Sequence, residues 1–348
     1  MTTDDIRCIR LYRQHLTSPT DKITAARDLL GVQAQFTVNA LHALRLRTQQ
    51  VLTEETWGEG LCKNWTVRGT VHVFAQEDLG LFKYNPALYR NADFRGYHYR
   101  DGTWALTSER QCFWSEKILS YIDAGICTRD ALKEACTGDG MTAAETESMF
   151  DAWGGGMRDL CERGFLNYIV QEKKAFARCP DFSPMGEENA LAEMVRRYFL
   201  HFGPATLRDA AYYFGMPQAR LKPVMQRLPL TEYPVEGAVY YDPGTPQTDY
   251  PDIPRCILLA GFDQLMLGYR KEDSLFLPRE HLRGIFNLAG IVMPAILLDG
   301  RVCGKWKCRG GKLTATLFVS VSAAQREIIA AQAQRYFGPL SKAEFVFE

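Results

Sequence analysis

The chain of 348 residues is 46% hydrophobic and 24% charged, the profile of a globular protein of two or three domains with real cores. Its 41 Lys and Arg cancel 41 Asp and Glu, which argues against a uniformly basic nucleic-acid coat. Ten cysteines, none spaced Cys-x-x-Cys, exclude a disulfide scaffold and a zinc ribbon. The first ten residues hold no apolar signal region, and the most apolar stretch, 286–298, is shorter than a membrane span. The expectation is a cytoplasmic protein with reduced thiols and no membrane partner.

Helical periodicity runs over 6–16 and, from an Asp21 N-cap, over 21–30 to Gly31, a glycine suited to a helix C-cap; a third helix covers 38–46. Two β-prone runs, 64–68 and 70–74, break at Gly69 as a hairpin would. After a stretch rich in Arg, Tyr and Gly at 95–103, helices are expected over 108–123, 128–136 and 143–163, then a strand pair at 165–170 and 174–178. Helix, helix, helix, hairpin is the order of a winged helix. A third round follows: a helix over 189–201, a break at Gly203-Pro204, a Thr206-capped helix over 207–214 ended by Gly215, and a candidate recognition helix over 218–228. That last helix carries Arg220, Lys222 and Arg227 and is interrupted by Pro223.

Beyond 244–246 the composition turns to β, with strands expected at 256–260, 264–269, 290–298, 301–307 and 312–321. Asp299-Gly300 and Gly310-Gly311 are hairpin signals, and a helix over 323–336 closes a small antiparallel sheet or barrel. The fold class read from this order is α+β: winged helices at 1–105, 106–185 and 186–250, then a β-barrel domain at 251–348. Charge is segregated along it. Residues 300–326 hold six bases and no acid, whereas 232–252 hold five acids and no base.

Several runs resemble one family. Leu29-Leu30-Gly31-Val32-Gln33-Ala34-Gln35, Trp65 to His72 with Arg68-Gly69-Thr70, Phe202-Gly203-Pro204-Ala205-Thr206, Leu258 to Asp263, and Gly304-Lys305-Trp306 are similar to the winged-helix family of AlkZ-like and YcaQ-like DNA glycosylases. The resemblance implies tandem winged helices and a C-terminal β-barrel around a DNA-binding cleft. It also implies hydrolysis of the N-glycosidic bond of bulky alkylated purines, including interstrand crosslinks. The family's chemistry is assigned to a Gln-aliphatic-Gln or Gln-aliphatic-Asp motif, and Gln33-Ala34-Gln35 matches the first, AlkZ-like form. The tripeptide alone carries nothing, since Gln332-Ala333-Gln334 repeats it in the last helix; the Leu-Leu-Gly-Val lead-in separates the two copies.

Two glutamines suit the reaction. An N7-alkylated guanine is already cationic and leaves as a neutral base without a general acid, so the harder task is holding water at an oxocarbenium-like sugar carbon. An amide oxygen can accept a hydrogen bond from that water and orient it, which is catalysis by positioning. Residues spaced i, i+2 do not share a helix face, so the motif is expected at or after Gly31, where the helix ends. Gln33 and Gln35 are therefore the candidate catalytic residues.

Arg68, Thr70 and His72 alternate along an expected strand and are candidate DNA contacts. So are Lys305, Lys307 and Arg309, which share a strand face, and Arg220 and Lys222; Trp306, on the opposite face, is expected to point inward, with base stacking as the alternative. Asp263 follows an apolar run and is expected to pair with Arg270 or Arg68 or to line the cleft, in an architectural role. The six His and ten Cys show no metal-ligand spacing. The partner expected is duplex DNA carrying alkylated purines, bound by a monomer without metal or cofactor. The competing readings are a non-catalytic winged-helix DNA-binding protein or regulator, and an interaction scaffold.

Overall fold

The computed structural model describes residues 1–84, 105–152, 154–244 and 250–348; the stretch at 95–103 and residues 245–246 of the expected linker lie outside them. The chain forms two compact units, one of Met1–Leu52 with Met194–Glu348, the other of Thr53–Glu193. No helix among the described residues is long and apolar enough to cross a membrane.

The first segment holds helix α1 (Thr3–Arg13), helix α2 (Lys22–Asp28), a short strand β1 (Val32–Gln33) and helix α3 (Thr37–Arg45). A Thr2/Asp5 capping box starts α1, and the Asp21 carboxylate caps α2 by accepting from Ile23 and Thr24. Both helices end alike. Leu16 N–H reaches back to Leu11 O and His15 N–H to Tyr12 O in α1; Gly31 N–H reaches Ala26 O and Leu30 N–H reaches Arg27 O in α2. These paired bonds define the Schellman ending, whose first residue past the cap adopts a left-handed conformation that usually falls to glycine. Here His15 (φ 60°) and Leu30 (φ 53°) occupy it. The glycine expected to cap α2 thus stands one place later, and Leu30 carries the turn.

Thr53–Glu193 begins with the hairpin β2 (Leu61–Trp65) and β3 (Val71–Ala75), followed by α4 (Leu79–Phe82), α5 (Ser108–Asp123), α6 (Arg129–Gly138), α7 (Ala143–Met149), α8 (Gly155–Glu162), β4 (Leu166–Tyr168) and β5 (Phe176–Arg178). Strands β3, β2, β4 and β5 pair antiparallel in that order. Trp114, Ile118 and Ile122 of α5 recur at helical spacing and bury against Leu132, Met149, Met157, Leu160 and Phe176. The single helix expected over 143–163 is two. Gly154 and Gly155 both have positive φ, and a Cβ on Gly155 would stand 2.3 Å from Ser148 O, so only glycine allows the chain to turn so closely there.

Helix α9 (Glu187–Phe202) leads back into the first unit. There β6 (Ala205–Thr206), α10 (Leu207–Phe214), α11 (Gln218–Met225), β7 (Thr231–Val235) and β8 (Ala238–Asp242) follow, with the strands ordered β6-β8-β7. Thr206 caps α10 in a box with Asp209, and Gly215 (φ 61°) ends it, as expected. Helix α11 stops at Met225, three residues short of its expected end.

The last segment holds β9 (Cys256–Leu258), α12 (Gln264–Leu267), α13 (Leu282–Ile285), β10 (Ala295–Leu298), β11 (Arg301–Arg309), β12 (Lys312–Leu317), α14 (Ala323–Phe337) and β13 (Lys342–Phe347). Its five strands run β13-β12-β11-β10-β9, and this corrects the expected barrel. The sheet is open: β13 pairs parallel with β12 at one edge and β9 ends the other, while α14 covers the face formed by Leu258, Ile296, Trp306, Leu313 and Leu317. The strand expected at 264–269 is helix α12, because the Asp263 carboxylate caps it by accepting from Leu265 N–H.

Candidate active site

The glutamine motif lies between two helices: Gln33 ends the two-residue strand β1 that follows the Leu30 turn, and Ala34 and Gln35 lie beyond it. Ala34 is fully buried, Gln33 is 8% exposed, and Gln35 is open to solvent. Gln35 and Phe36 then bend the chain into α3. The motif therefore sits just past the end of α2, where the i, i+2 spacing required it.

A second segment of the same unit supports it. Phe36 stacks on Phe262 with ring centroids 5.7 Å apart. A Cβ on Gly261 would meet Asn39 Nδ2 at 2.8 Å, so glycine lets the start of α3 approach this backbone. Phe262 has φ 58°, a left-handed conformation that costs an aromatic residue about 1–2 kcal/mol. Leu30 and Phe262, on either side of the glutamines, are thus held in strained backbone by their surroundings, as happens at functional sites.

Beneath α3 lies a buried ion pair. Arg47 Nη2 donates to Asp263 Oδ1 at 2.7 Å and Arg47 Nη1 to Asp263 Oδ2 at 2.9 Å; both side chains are fully shielded. Arg47 Nη1 also donates to Ala43 O. Asp263 is architectural, as expected, but its partner is Arg47. Arg270 instead faces Glu272 and Asp273. Nearby, His42 of α3 meets Leu258 O at 2.8 Å, and burial pulls its pKa down to about 4, keeping the ring neutral.

One exposed element borders the motif. Phe262 N–H donates to Val292 O, Val292 bridges Phe286, and residues 287–291 form a turn closed by Ile291 N–H to the Asn287 carboxamide. Leu288 in this turn is 88% exposed, and Phe36 (41%) and Val38 (60%) are exposed around the start of α3. The sequence reading placed a strand over 290–298; the strand begins only at Ala295, and the residues before it make this projecting turn. Asn287 and Gly290, both turn formers, were the available signal.

A model described as DNA glycosylase AlkZ-like matches residues 26–338, which include the glutamine strand, α3 and the Arg47–Asp263 pair. The chain belongs to the AlkZ-like DNA glycosylase family. DNA glycosylase is the enzyme class of that family and hence of this chain. The AlkZ-like chain is 28% identical over 335 residues to an interstrand DNA cross-link repair glycosylase from Streptomyces sahachiroi, covering 89% of itself and 88% of that relative. It is also similar to the solved structure of the Streptomyces sahachiroi DNA glycosylase AlkZ. That match has a TM-score of 0.76 at 22% identity and covers 100% of both chains, which shows a shared mixed α+β fold.

The remaining expected site residues of the AlkZ-like chain divide by exposure. Lys307 and Arg309 project from β11 and are exposed; Lys305, on the same face, is half-buried and pairs with Glu348 at 2.5 Å. Trp306 points inward, donating from Nε1 to Leu259 O at 2.9 Å and meeting the His42 ring edge-on. It is a core residue and not a base-stacking one. Arg220 and Lys222 are exposed on α11.

In the other unit the alternation expected of Arg68, Thr70 and His72 fails, because the hairpin turn spans 66–70 and β3 starts at Val71. Arg68 and Thr70 lie half-buried in that turn. His72 is fully buried with Nδ1 against Thr70 O and the Thr66 hydroxyl, which removes it as a phosphate contact. Burial lowers its pKa to about 3, with the Arg68 charge adding to the shift. The second Gln-Ala-Gln copy is elsewhere: Gln332 lines a cavity of about 470 Å³ with Leu16, Pro254, Ile257, Arg335 and Tyr336.

Proposed function

We propose that this protein hydrolyses the N-glycosidic bond of alkylated purines in duplex DNA, N7-alkylated or crosslinked, with Gln33 and Gln35 holding the attacking water. The observation that supports this reading is the placement of two amides in the short connection between α2 and α3, Gln33 recessed at the end of β1 and Gln35 open to solvent, with Ala34 buried between them. Gln33 keeps 8% of its surface exposed, which leaves it in reach of water at the edge of the core.

The reaction then balances simply. The C1′–N9 bond breaks with its electron pair going to the cationic purine, which departs neutral. Water adds to the sugar carbon and gives up one proton to solvent. The amides supply acceptors that fix the water oxygen's approach. Gln33 and Gln35 stay neutral throughout, so the site suits labile cationic lesions better than stable neutral ones.

Duplex binding falls to cationic and apolar surfaces of the same unit. Lys307 and Arg309 on β11, and Arg220 and Lys222 on α11, offer phosphate contacts. The order α9, β6, α10, α11, β7, β8 supports reading this part as a winged helix with α11 at the groove. Exposed Leu288, Phe36 and Val38 are apolar side chains of the kind that unstack bases at a lesion, where the loss of base stacking is met by contact with side chains.

The test is single-turnover excision from a duplex bearing one N7-alkylguanine, with abasic sites revealed by strand cleavage. Gln33→Ala and Gln35→Ala are expected to slow release on the order of 10²-fold while duplex affinity is retained. Excision unchanged in both variants rules out the water-positioning role. Binding without release by the wild type makes the chain a DNA-binding module instead.

A further inference from the structure

Three side chains far apart in sequence meet where three helices end. His15 follows α1, Asp28 is the last residue of α2, and His201 lies in the final turn of α9. His15 Nε2 is 2.9 Å from Asp28 Oδ2 and His201 Nε2 is 3.5 Å from Asp28 Oδ1; one donor atom from each of the three residues falls within 4.8 Å of the others. Ligands around a tetrahedral zinc ion, with bonds of about 2.0–2.1 Å, stand about 3.3 Å apart, so these separations bracket what such an ion requires.

The far side of each ring strengthens the case. His15 Nδ1 faces Ser18 O at 3.4 Å, and the backbone of Arg13 hydrogen-bonds the His201 ring. His15 Nε2 and Asp28 Oδ2 share a hydrogen bond at 2.9 Å; with the ring proton on Nδ1, against Ser18 O, the Nε2 lone pair would serve a cation held jointly with the carboxylate. Backbone anchoring of the outer N–H is also how metal-bound histidines are commonly oriented. The C-terminal ends of α1, α2 and α9 add negative helix-dipole potential. His15 moreover holds a left-handed conformation (φ 60°) that helix endings usually give to glycine. The cations nearby are Arg27, 3.4 Å from Asp28, and Arg13, which pairs with Asp242.

We propose that His15, Asp28 and His201 bind one divalent transition-metal ion of the zinc class, with water completing its coordination. Bound there, the ion ties the ends of three helices and fixes the base of the segment that reaches Gln33 five residues later. The ten free thiols of the chain make ligand identity the point to test, and cobalt(II) reads it out directly.

Titration of the metal-free full chain with cobalt(II) is expected to give one equivalent with tetrahedral ligand-field bands and no thiolate charge-transfer band. Both His15→Asn and His201→Gln, which keep a polar group against Asp28, are expected to abolish those bands while retaining the wild-type circular dichroism. Zinc at a hundredfold excess over its Kd is expected to raise the wild-type Tm by roughly 5–10 °C and leave the variants unmoved. Absence of the bands, a thiolate band in their place, or bands that persist in the variants overturns the proposal. Should either variant misfold, the other and the wild-type spectrum decide the question.

Discussion

Removing the carboxylate of Asp263 offers the sharpest test of how the candidate strand is supported. Asp263→Ala deletes two charge-assisted bonds, of 2.7 and 2.9 Å, to a guanidinium with no solvent access. Arg47 cannot be solvated in place, and breaking a buried pair from one side costs about 3–5 kcal/mol. The same carboxylate caps α12, worth about 1 kcal/mol more. For a unit of about two hundred residues, each kcal/mol moves Tm by roughly 2–4 °C. The variant, losing about 4–6 kcal/mol in all, is therefore expected to melt roughly 8–24 °C below wild type by calorimetry or near-ultraviolet circular dichroism. Because replacing both partners leaves no stranded charge, Arg47→Met combined with Asp263→Leu is expected to lose less than Asp263→Ala alone. A double variant at least as unstable as the single one, or a single variant within 1 °C of wild type, refutes the reasoning.

Other expectations concern DNA and pH. Leu288→Ala is expected to slow excision while leaving Tm unchanged, since the side chain is 88% exposed; equal excision rates would deny the turn a part in opening the duplex. Lys307→Ala and Arg309→Ala are each expected to reduce the salt dependence of duplex affinity by about one in log–log slope, measured by fluorescence anisotropy at several salt concentrations. Trp306→Phe is expected to lower stability by about 1–3 kcal/mol through the lost bond to Leu259 without changing that slope. His72 has its folded pKa depressed to about 3 from an unfolded value near 6.5. The unfolded chain thus binds the proton first, and stability present above pH 6.5 drains away as pH falls toward 3. By pH 5 the loss is roughly 2 kcal/mol, and acid titration of the Thr53–Glu193 unit in a His72→Gln variant is expected to be shallower by that amount.

Local signals proved readable where the chemistry was local. The Asp21 cap, the Thr206 and Gly215 boundaries and the break after α2 were all written in adjacent residues, and the spacing of Gln33 and Gln35 placed them outside a helix. Signals that depend on partners distant in the chain were not readable. Nothing near Asp263 names Arg47, 216 residues away, and nothing near His15 names His201. The barrel failed for the same reason: alternation identifies strands, but closure depends on whether the edge strands meet, and β13 extends the sheet along one edge instead. His72 shows the remaining gap. Its residue type suits DNA contact, while its hydrogen bonds with Thr70 and Thr66 satisfy it inside the protein; Trp306, by contrast, points inward as strand alternation led one to expect.

The discontinuity of the first unit has a bearing on synthesis. Thr53–Glu193 is contiguous in the chain, whereas the N-terminal segment made before it must wait for partners that come after it. Arg47 and His42 find Asp263 and Leu258 only when some three quarters of the chain has emerged, and α14 and the outermost strand arrive last of all. Until then the buried faces of α1 to α3 have no lasting cover, and the glutamine strand lacks the scaffold that aims it. A truncated or stalled chain would thus carry the glutamine motif without the packing that surrounds it.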